Sequence, residues 1–479
     1  MIILLCLAGF IVVAFLVAVI NAIRIKGSYK EPKEFRLGID DINSQLHASH
    51  LARMIQVPSV SIRDSNDFSQ IKKMHKVLEE LYPNIHNRLE KIDIDGALLF
   101  KWRGKSSKAL PILLMSHMDV VEATGSWKFS PFSGKISDGK IWGRGAVDTK
   151  GALCAILEAV EHLVSINYVP SCDVYIASSN NEEITGDGAV KTVEYLYKQG
   201  IRFDLVMDEG GAVMCGTMGI NEPSAMVGIV EKGRANVKFI AHSSGGHASI
   251  PFNNNPFAQL SKVVSELDRK PPFKKKLTKP VKRMYKAMSP YLSFKYRLVL
   301  GNLWLFGGIL PAVCSKMGGQ AAALVQSTCV FTMAEGSSGA NVIPETATCT
   351  ANVRFILHEN EEKTLNKLKK VADKYNVEME KISGYDICPT ADTNTYAYKQ
   401  VLKQIKETFG DIPIVPYVML AGTDSRHYTK ICDCVIRFVP LIFSEEQQKS
   451  AHAINENLDV SSLSRGVTFY VDFIKNYGK

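Results

Sequence analysis

Five short segments that carry histidine or acidic residues are spread over the chain, next to runs of apolar residues. They occupy residues 116–119, 143–148, 181–183, 208–211 and 451–453. One such segment means little, because a lone histidine is more often a packed core residue than a ligand. Together the five segments offer two imidazoles and several carboxylates. Enzymes with an α/β fold place such ligands just beyond the carboxyl ends of their strands.

The donor types in these segments indicate a metal site. Imidazole nitrogen and carboxylate oxygen without thiolate suit Zn²⁺, with Co²⁺ or Mn²⁺ as alternatives. A pair of metal ions would need one carboxylate to bridge them, and a second carboxylate left free to handle protons. The segments contain enough carboxylates for both tasks.

The apolar runs beside these segments predict the elements that position them. Residues 110–115 (LPILLM) and 173–178 (DVYIAS) are typical of buried strands, and 152–164 is typical of a helix. Strands that alternate with helices predict an α/β sheet with helices on both faces. From about residue 229 to 387 the pattern changes to short strands with two helices, which predicts an inserted α+β domain.

The motifs and their order resemble the di-zinc aminoacylase/carboxypeptidase family of metallopeptidases, which includes carboxypeptidase S, aminoacylase and succinyl-diaminopimelate desuccinylase. The matching stretches include LLMSHMDVV, GRGAVDTKG, NNEEITGDGA, MDEGG, SSGGHASIP, AGTDSRHY and AHAINE. SPYLSFKYRLVLGNLWLF is most similar to the branch of carboxypeptidase S and the fatty-acyl-amino-acid hydrolases. The resemblance covers about residues 45–479. It implies a mixed-sheet zinc-peptidase catalytic domain with an inserted α+β lid, through which a homodimer would form.

The resemblance also implies roles for single residues. Two Zn²⁺ ions would be held by His117, Asp148, Glu183, Glu209 and His452, with Asp148 as the bridge. Asp208 stays open as an alternative to Glu209, which is preferred because the residue before the glycine is the usual ligand. The catalytic residues would be Glu182 as general base, Asp119 to orient the ring of His117, and His247 to reach the substrate carbonyl from the partner subunit. The substrate would contact Arg354, which grips its carboxylate, and Asn341, Gly422, Thr423 and Arg426.

This reading predicts a zinc-dependent hydrolase that cleaves an amide or peptide bond. The substrate would be a small peptide or an N-acyl amino acid with a free carboxylate, and metal-bound hydroxide would be the nucleophile. One alternative is a deacylase or desuccinylase of a polar metabolite. Another is a metal-free scaffold on the same fold, which is disfavoured because all the ligands and the base are present.

The N-terminal segment predicts a membrane anchor. Residues 2–23 are 22 uncharged residues, and the basic residues follow the run rather than precede it. We therefore expect a single-pass membrane protein whose catalytic body is on the cytoplasmic side. The predicted parts are the anchor (2–23), a linker (24–40), the catalytic domain (41–228 and 388–479) and the lid (229–387).

The net charge of +9 is concentrated in one segment. Eleven Lys and Arg residues and no acidic residue lie between Arg269 and Arg297, while the rest of the chain is nearly neutral. A nucleic-acid partner is therefore not expected. Residues 269–317 continue from this basic stretch into an apolar one. They have two interpretations: a helical excursion with a solvated basic face, or a contact with a membrane surface.

Overall fold

The computed structural model describes residues 2–27, 42–63, 65, 67–106 and 108–478 of the chain. Within these residues, one apolar core surrounds a ten-stranded mixed sheet, and a second core lies beside a four-stranded antiparallel sheet. Residues 28–40 of the predicted linker lie outside the described residues.

The helices are given in chain order. They are α1 (Ile2–Arg24), α2 (Ile42–Ile55), α3 (Ser69–Leu81), α4 (Pro83–Arg88), α5 (Lys150–Ser165), α6 (Gly188–Lys198), α7 (Pro256–Arg269), α8 (Lys279–Met288), α9 (Phe294–Leu300), α10 (Leu303–Phe306), α11 (Leu310–Met317), α12 (Gly319–Ala323), α13 (Glu361–Lys374), α14 (Tyr396–Phe409), α15 (Ser425–Tyr428), α16 (Glu445–Ser450) and α17 (Val460–Asn476).

The strands follow in the same way. They are β1 (Glu90–Ile94), β2 (Ala97–Trp102), β3 (Ile112–Met115), β4 (Lys135–Ser137), β5 (Lys140–Trp142), β6 (Val174–Ser178), β7 (Leu205–Asp208), β8 (Val213–Met214), β9 (Ser224–Glu231), β10 (Gly233–His242), β11 (Gly246–His247), β12 (Thr328–Glu335), β13 (Val342–Ile343), β14 (Thr346–Phe355), β15 (Glu378–Tyr385), β16 (Ile414–Met419), β17 (Val435–Arg437), β18 (Ile442–Phe443) and β19 (Asn457–Asp459).

The larger sheet has the strand order β1-β2-β6-β3-β7-β17-β9-β8-β18, and β16 also pairs with β9. β6, β3, β7 and β17 are parallel neighbours, whereas the pairs β1–β2, β2–β6, β17–β9 and β8–β9 are antiparallel. Every residue of β3, β6 and β7 is buried, which explains why these strands are continuous apolar runs. The predicted mixed α/β fold is therefore the fold that the chain adopts.

α5 is the helix that leads away from the metal-ligand candidates, and it is buried along nearly its whole length. Its sequence is apolar around most of its circumference, which is typical of a helix enclosed by other elements. α2 and α17 pack against it. The beginning of α5, close to Asp148, is therefore held firmly by the core.

The smaller sheet has the order β12-β14-β10-β15 and is antiparallel throughout. Residues along β10 alternate between buried and half-buried, because one face of the sheet packs under α7 and α13. This sheet lies in the segment that was predicted as a lid. The domain boundaries at residues 229 and 387 stay a prediction.

The predicted transmembrane helix is contradicted. Among the residues whose placement is described, no helix meets the length and apolarity that a membrane span requires. The predicted single-pass membrane location depended on residues 2–23 and is therefore also contradicted. Part of α1 instead packs on its own chain: Ala18 and Ala22 are fully buried, and Asn21 Nδ2 donates to Asn302 Oδ1 at 2.9 Å.

The basic segment folds into an amphipathic helix. Val281, Met284 and Met288 of α8 are buried, and the helix packs against β16, whereas Lys282 and Lys286 are exposed. Exposed lysines on an amphipathic helix are expected for both interpretations of residues 269–317, which therefore stay predictions.

Candidate active site

Three neighbouring parallel strands bring most of the predicted ligands to one edge of the larger sheet. β3 leads into His117, and its neighbour β7 leads into Glu209. On the other side of β3, β6 leads into the loop that carries Glu183. Asp148 stands two residues before α5, and His452 follows α16. The carboxyl ends of parallel strands meet at this edge, so side chains that are distant in sequence converge there.

His117, Asp148 and Glu209 form the first group of candidate ligands. Nε2 of His117 lies 3.1 Å from Oδ1 of Asp148 and 3.4 Å from Oε1 of Glu209. Its Nδ1 lies 2.9 Å from the backbone oxygen of Asp119, which can only accept a hydrogen bond. The proton of the neutral ring therefore sits on Nδ1, and Nε2 keeps its lone pair for a metal ion.

Asp148, Glu183 and His452 form the second group. Nε2 of His452 lies 3.0 Å from Oδ2 of Asp148 and 3.0 Å from Oε2 of Glu183. The two oxygens of Asp148 thus face different groups, as a bridging carboxylate requires. Oε1 of Glu183 is buried and has no hydrogen-bond partner among the described residues. A cation would satisfy this oxygen, so the residues fit a pair of metal ions.

The pKa values of these groups also indicate a site for cations. Burial raises the pKa of Glu209 to about 8. Burial alone would lower the pKa of His117, but Glu209, Asp119 and Asp148 together hold it well above its usual value. Hydrogen bonds to Asp148 and Glu183 raise the pKa of His452 to about 10. The carboxylates are stabilised here by protons on neighbouring groups, which is the task that bound cations would perform.

Asp119 lies directly behind the ligands and is fully buried. Its Oδ1 lies 3.3 Å from Nδ1 of His117 and accepts the backbone N–H of Glu182 at 3.1 Å. Its Oδ2 accepts the backbone N–H of Glu183 and the hydroxyl of Ser61. One carboxylate therefore orients the imidazole of one group and the loop that carries the ligand of the other.

Glu182 and Asp208 are acidic residues beside the two groups but outside them. Burial raises the pKa of Glu182 well above its usual value, and the charge of Glu209 adds to the effect. Oδ2 of Asp208 accepts the backbone N–H of Ser425 at 2.9 Å. Asp208 is thus engaged by the loop before α15, whereas Glu209 faces His117. The geometry favours Glu209 as the ligand in this motif.

Glu456 was not among the residues predicted for the site, yet it holds the loop that carries Asp148. Its fully buried carboxylate accepts the backbone N–H groups of Gly145, Val147 and Asp148 at 3.1, 2.7 and 3.0 Å. It also pairs with Arg144 at 2.7 Å. The available sequence signal was its position in AHAINE, four residues after His452.

We expect Glu456→Gln to weaken metal binding by roughly 10- to 100-fold, because outer residues that orient ligands typically contribute that much. The amide oxygen of glutamine can accept the three backbone N–H groups that donate to Oε1, but its NH2 group then faces Arg144, so the ion pair is lost and a donor stands against a donor. Competition with a chromophoric chelator would measure the metal affinity. Glu445→Gln, at a glutamate whose side chain is 63% exposed, is the matched control. A Glu456→Gln affinity within twofold of the parent would contradict this role.

Arginines converge on one tyrosine near the predicted substrate loops. The guanidinium of Arg426 lies 4.2 Å from the ring centroid of Tyr385, and that of Arg234 lies 5.8 Å from it. Arg354 interacts electrostatically with both Tyr385 and Arg234, and burial lowers its pKa. Nε and Nη2 of Arg426 are buried without a hydrogen-bond partner among the described residues. Such unsatisfied donors suit a carboxylate.

The predicted residues Gly422 and Thr423 belong to the same neighbourhood. A Cβ at Gly422 would lie 2.0 Å from the hydroxyl oxygen of Tyr385, so a larger residue there would displace the tyrosine ring or the loop. The backbone N–H and the hydroxyl of Thr423 donate to buried Glu231 at 3.0 and 2.6 Å.

His247 and Asn341 lie next to each other. They belong to the small two-stranded sheet of β11 and β13, where His247 pairs with Val342 and the backbone N–H of Ala248 donates to the oxygen of Asn341. Both are exposed, and no hydrogen bond joins either to a candidate ligand within the described ranges. Their predicted roles at the site therefore stay predictions.

A cleft of about 360 Å³ opens beside the ligands and is lined by Asp148 and Glu209. Met214, Met218 and Tyr417 form part of its remaining wall. The wall is therefore largely apolar, and Asp148 and Glu209 are its charged residues. A mostly apolar wall with a few charged groups is typical of a pocket that binds a small ligand.

A profile described as peptidase family M20/M25/M40 matches residues 113–476. The chain is similar to the probable carboxypeptidase S-like 2 of Dictyostelium discoideum, with 32% identity over 97% of this chain and 92% of that protein. It is also similar to the N-fatty-acyl-amino acid synthase/hydrolase PM20D1.1 of Danio rerio, with 30% identity over 88% of this chain and 84% of that protein.

Solved structures agree with the fold. An M20 family metallo-carboxypeptidase from Sulfolobus solfataricus, Sso-CP2, superposes with a TM-score of 0.65 at 19% identity and covers 90% of this chain and 99% of its own. The di-peptidase Dug1p from Saccharomyces cerevisiae has a TM-score of 0.65 at 18% identity and covers 92% of this chain and 98% of its own. At these identities the likeness concerns the fold alone.

Proposed function

Because the chain belongs to peptidase family M20/M25/M40 and is a hydrolase of peptide or amide bonds, we propose that it cleaves a small substrate whose amide lies next to a free carboxylate. The substrate would be a short peptide or an N-acyl amino acid. The relatives named carboxypeptidase S-like and N-fatty-acyl-amino acid synthase/hydrolase support these two classes. The single observation that carries the proposal is the division of the two Asp148 oxygens between the ligand groups.

His117 and Glu209 would hold one metal ion, Glu183 and His452 the other, and Asp148 both. The nitrogen and oxygen donors suit Zn²⁺, with Co²⁺ or Mn²⁺ as alternatives. When bound, such cations supply positive charge that polarises the scissile carbonyl and makes water more acidic.

Glu182 carries the protons in this proposal. Its carboxylate takes a proton from the attacking water molecule and later delivers it to the nitrogen of the departing amine. Burial and the raised pKa support this role, because a carboxyl group that is ready to hold a proton is a better shuttle. Asp119 accepts the backbone N–H of Glu182 and thereby holds the loop from which this carboxylate projects.

His247 would stabilise the oxyanion from the partner subunit of a homodimer. Its Nδ1 lies 2.7 Å from the hydroxyl of Ser249, and no hydrogen bond reaches its Nε2 within the described residues. An exposed ring with one available nitrogen is suited to reach a neighbouring site.

The carboxylate of the substrate would bind the arginine cluster around Tyr385. A guanidinium fork matches a carboxylate in two parallel hydrogen bonds. Arg354 would make this contact, with Arg426 and its unsatisfied donors beside it. Loops 341 and 422–423 would enclose the substrate.

We expect Arg354→Met to lower kcat/KM for an N-acyl amino acid by about 10- to 100-fold, because a charged hydrogen bond is lost. The same variant should change kcat/KM by less than about threefold for the corresponding amino acid amide, which has no carboxylate to lose. Steady-state kinetics with both substrates would measure the difference. Arg103→Met, at a side chain that is 81% exposed, serves as control. Equal losses for acid and amide would contradict the assignment.

The proposed function itself is tested by substrate profiling of metal-loaded protein. The panel would contain dipeptides, N-acyl amino acids, an N-succinyl amino acid and their C-terminal amides. Cleavage of free acids, lost with a chelator and restored by Zn²⁺, is the expected result. A preference for the N-succinyl compound would favour the polar-metabolite alternative. A metal-free protein that stays inert after Zn²⁺ is added would favour the scaffold alternative.

A further inference from the structure

An apolar cavity of about 450 Å³ lies within the segment that includes α8–α12, and the mechanism above does not use it. Leu292, Leu310 and Leu324 line it and are buried. Tyr296 and Met317 also line it but are 57% and 66% exposed. The cavity therefore extends from the surface into the interior, and its volume lies in the range of pockets that hold small ligands.

The cavity adjoins the cleft that contains the candidate metal ligands. Met218 and Gln320 line both the cavity and the cleft with Asp148 and Glu209. Neither shared residue is fully buried. A methionine side chain is flexible and adapts to different occupants, so the shared wall is not a rigid barrier.

The chemistry of the lining favours an apolar occupant over a charged one. None of the described residues that line the cavity is charged. The hydroxyl of Tyr285 lies 4.0 Å from Sγ of Cys314, so these two polar groups are turned towards each other. Burial raises the pKa of both, and both therefore stay neutral. An alkyl chain gains free energy on entering such a space, whereas a charged group would lose its hydration without compensation.

We propose that this cavity receives the aliphatic acyl chain of an N-acylated amino acid whose amide is held at the metal-ligand groups. The inference rests on the proposed function and narrows its substrate class to acyl groups long enough to pass Met218 and Gln320. A dipeptide or an N-acetyl amino acid would occupy only the cleft.

A substitution at Ala321 can test the preference for long acyl chains. It lines the cavity from α12 and is partly buried, so a larger side chain there would extend into the cavity. Ala312 on the neighbouring α11 is exposed and lies outside the lining, which makes it a matched control.

The experiment compares the full-length parent, Ala321→Phe and Ala312→Phe on N-acetyl, N-hexanoyl and N-dodecanoyl derivatives of one amino acid. For the parent, kcat/KM should rise at least tenfold from acetyl to dodecanoyl. Ala321→Phe should lower the dodecanoyl value about 10- to 15-fold, as expected when about two methylene groups lose their contacts. It should change the acetyl value by less than twofold, and Ala312→Phe should change neither. The melting temperature of each variant shows whether it folds. Val299→Phe, at another residue of the lining, is the second cavity variant and replaces Ala321→Phe if that variant does not fold.

An unchanged ratio of dodecanoyl to acetyl kcat/KM in both cavity variants would overturn the proposal, and so would a parent enzyme without preference for the longer chain. Calorimetric binding of dodecanoate to metal-free protein distinguishes a wrong cavity assignment from a wrong proposed function. If the parent cleaves none of the substrates but binds dodecanoate at least tenfold more tightly than Ala321→Phe does, the proposed function fails and the cavity assignment stands. Equal binding by the parent and both cavity variants overturns the cavity assignment.

Discussion

Replacing Glu182 by glutamine is expected to lower kcat about 10³-fold, which corresponds to about 4 kcal/mol of transition-state stabilisation. Glutamine keeps the size of the side chain but cannot take a proton from water or give one to the departing amine. The backbone N–H of residue 182 still donates to Asp119, so the loop keeps its position. Because Glu182 belongs to neither ligand group, the metal content should not change.

The measurement combines kcat on the best N-acyl amino acid with elemental analysis of the same preparation. Glu194→Gln, at an exposed glutamate of α6, is the control and should match the parent in both readouts. Parental kcat in Glu182→Gln would show that another group handles the protons. A loss of kcat accompanied by a loss of metal would instead assign Glu182 to the ligands.

The second large effect is expected for Asp148→Ala, which should remove both metal ions and lower kcat/KM by on the order of 10⁴-fold. Each oxygen of Asp148 faces a different histidine, at 3.1 and 3.0 Å, so no other residue can compensate for both contacts. In a site with two separate metal ions and no bridge, the same variant would lose one ion and keep the other. The number of ions lost therefore tests the bridging role directly.

Metal analysis after gel filtration in buffer without free metal would provide this number. Asp433→Ala is the control, because that side chain is 82% exposed and lies outside both groups. A variant that retains one ion per chain would contradict the bridge. His117→Ala and His452→Ala should each weaken the binding of one metal ion more than that of the other, which makes the two groups distinguishable.

Much of the fold follows from local patterns in the sequence. The apolar runs at 110–115 and 173–178 predicted buried strands, and the structure has β3 and β6 at Ile112–Met115 and Val174–Ser178. The reason is that parallel strands covered on both faces must be apolar throughout, and this leaves a continuous signal. The segment at residues 2–23 shows the limit of such reasoning, because apolar length alone suggested a membrane anchor that the described residues do not support.

The site was predictable only in part. His117, Asp148, Glu183, Glu209 and His452 were identified through motifs, and the structure brings them into two groups that share Asp148. Their roles stay predictions until metal and activity are measured. Glu456 went unnoticed because its function depends on backbone N–H groups more than three hundred residues away, which leave no pattern around it. His247 and Asn341 also have motifs, but within the described residues no hydrogen bond joins their side chains to the candidate ligands.

The sequence by itself determined the types of chemistry-bearing side chains and the strand ends that carry them, because period, apolarity and motif order are local properties. Only the tertiary structure decided which oxygen of Asp148 faces which histidine, and that Asp208 turns to the backbone of Ser425 while Glu209 turns to His117. Only the structure placed an apolar cavity next to the cleft. These features depend on the packing of segments distant along the chain, whose distances and directions are fixed by the folded core as a whole.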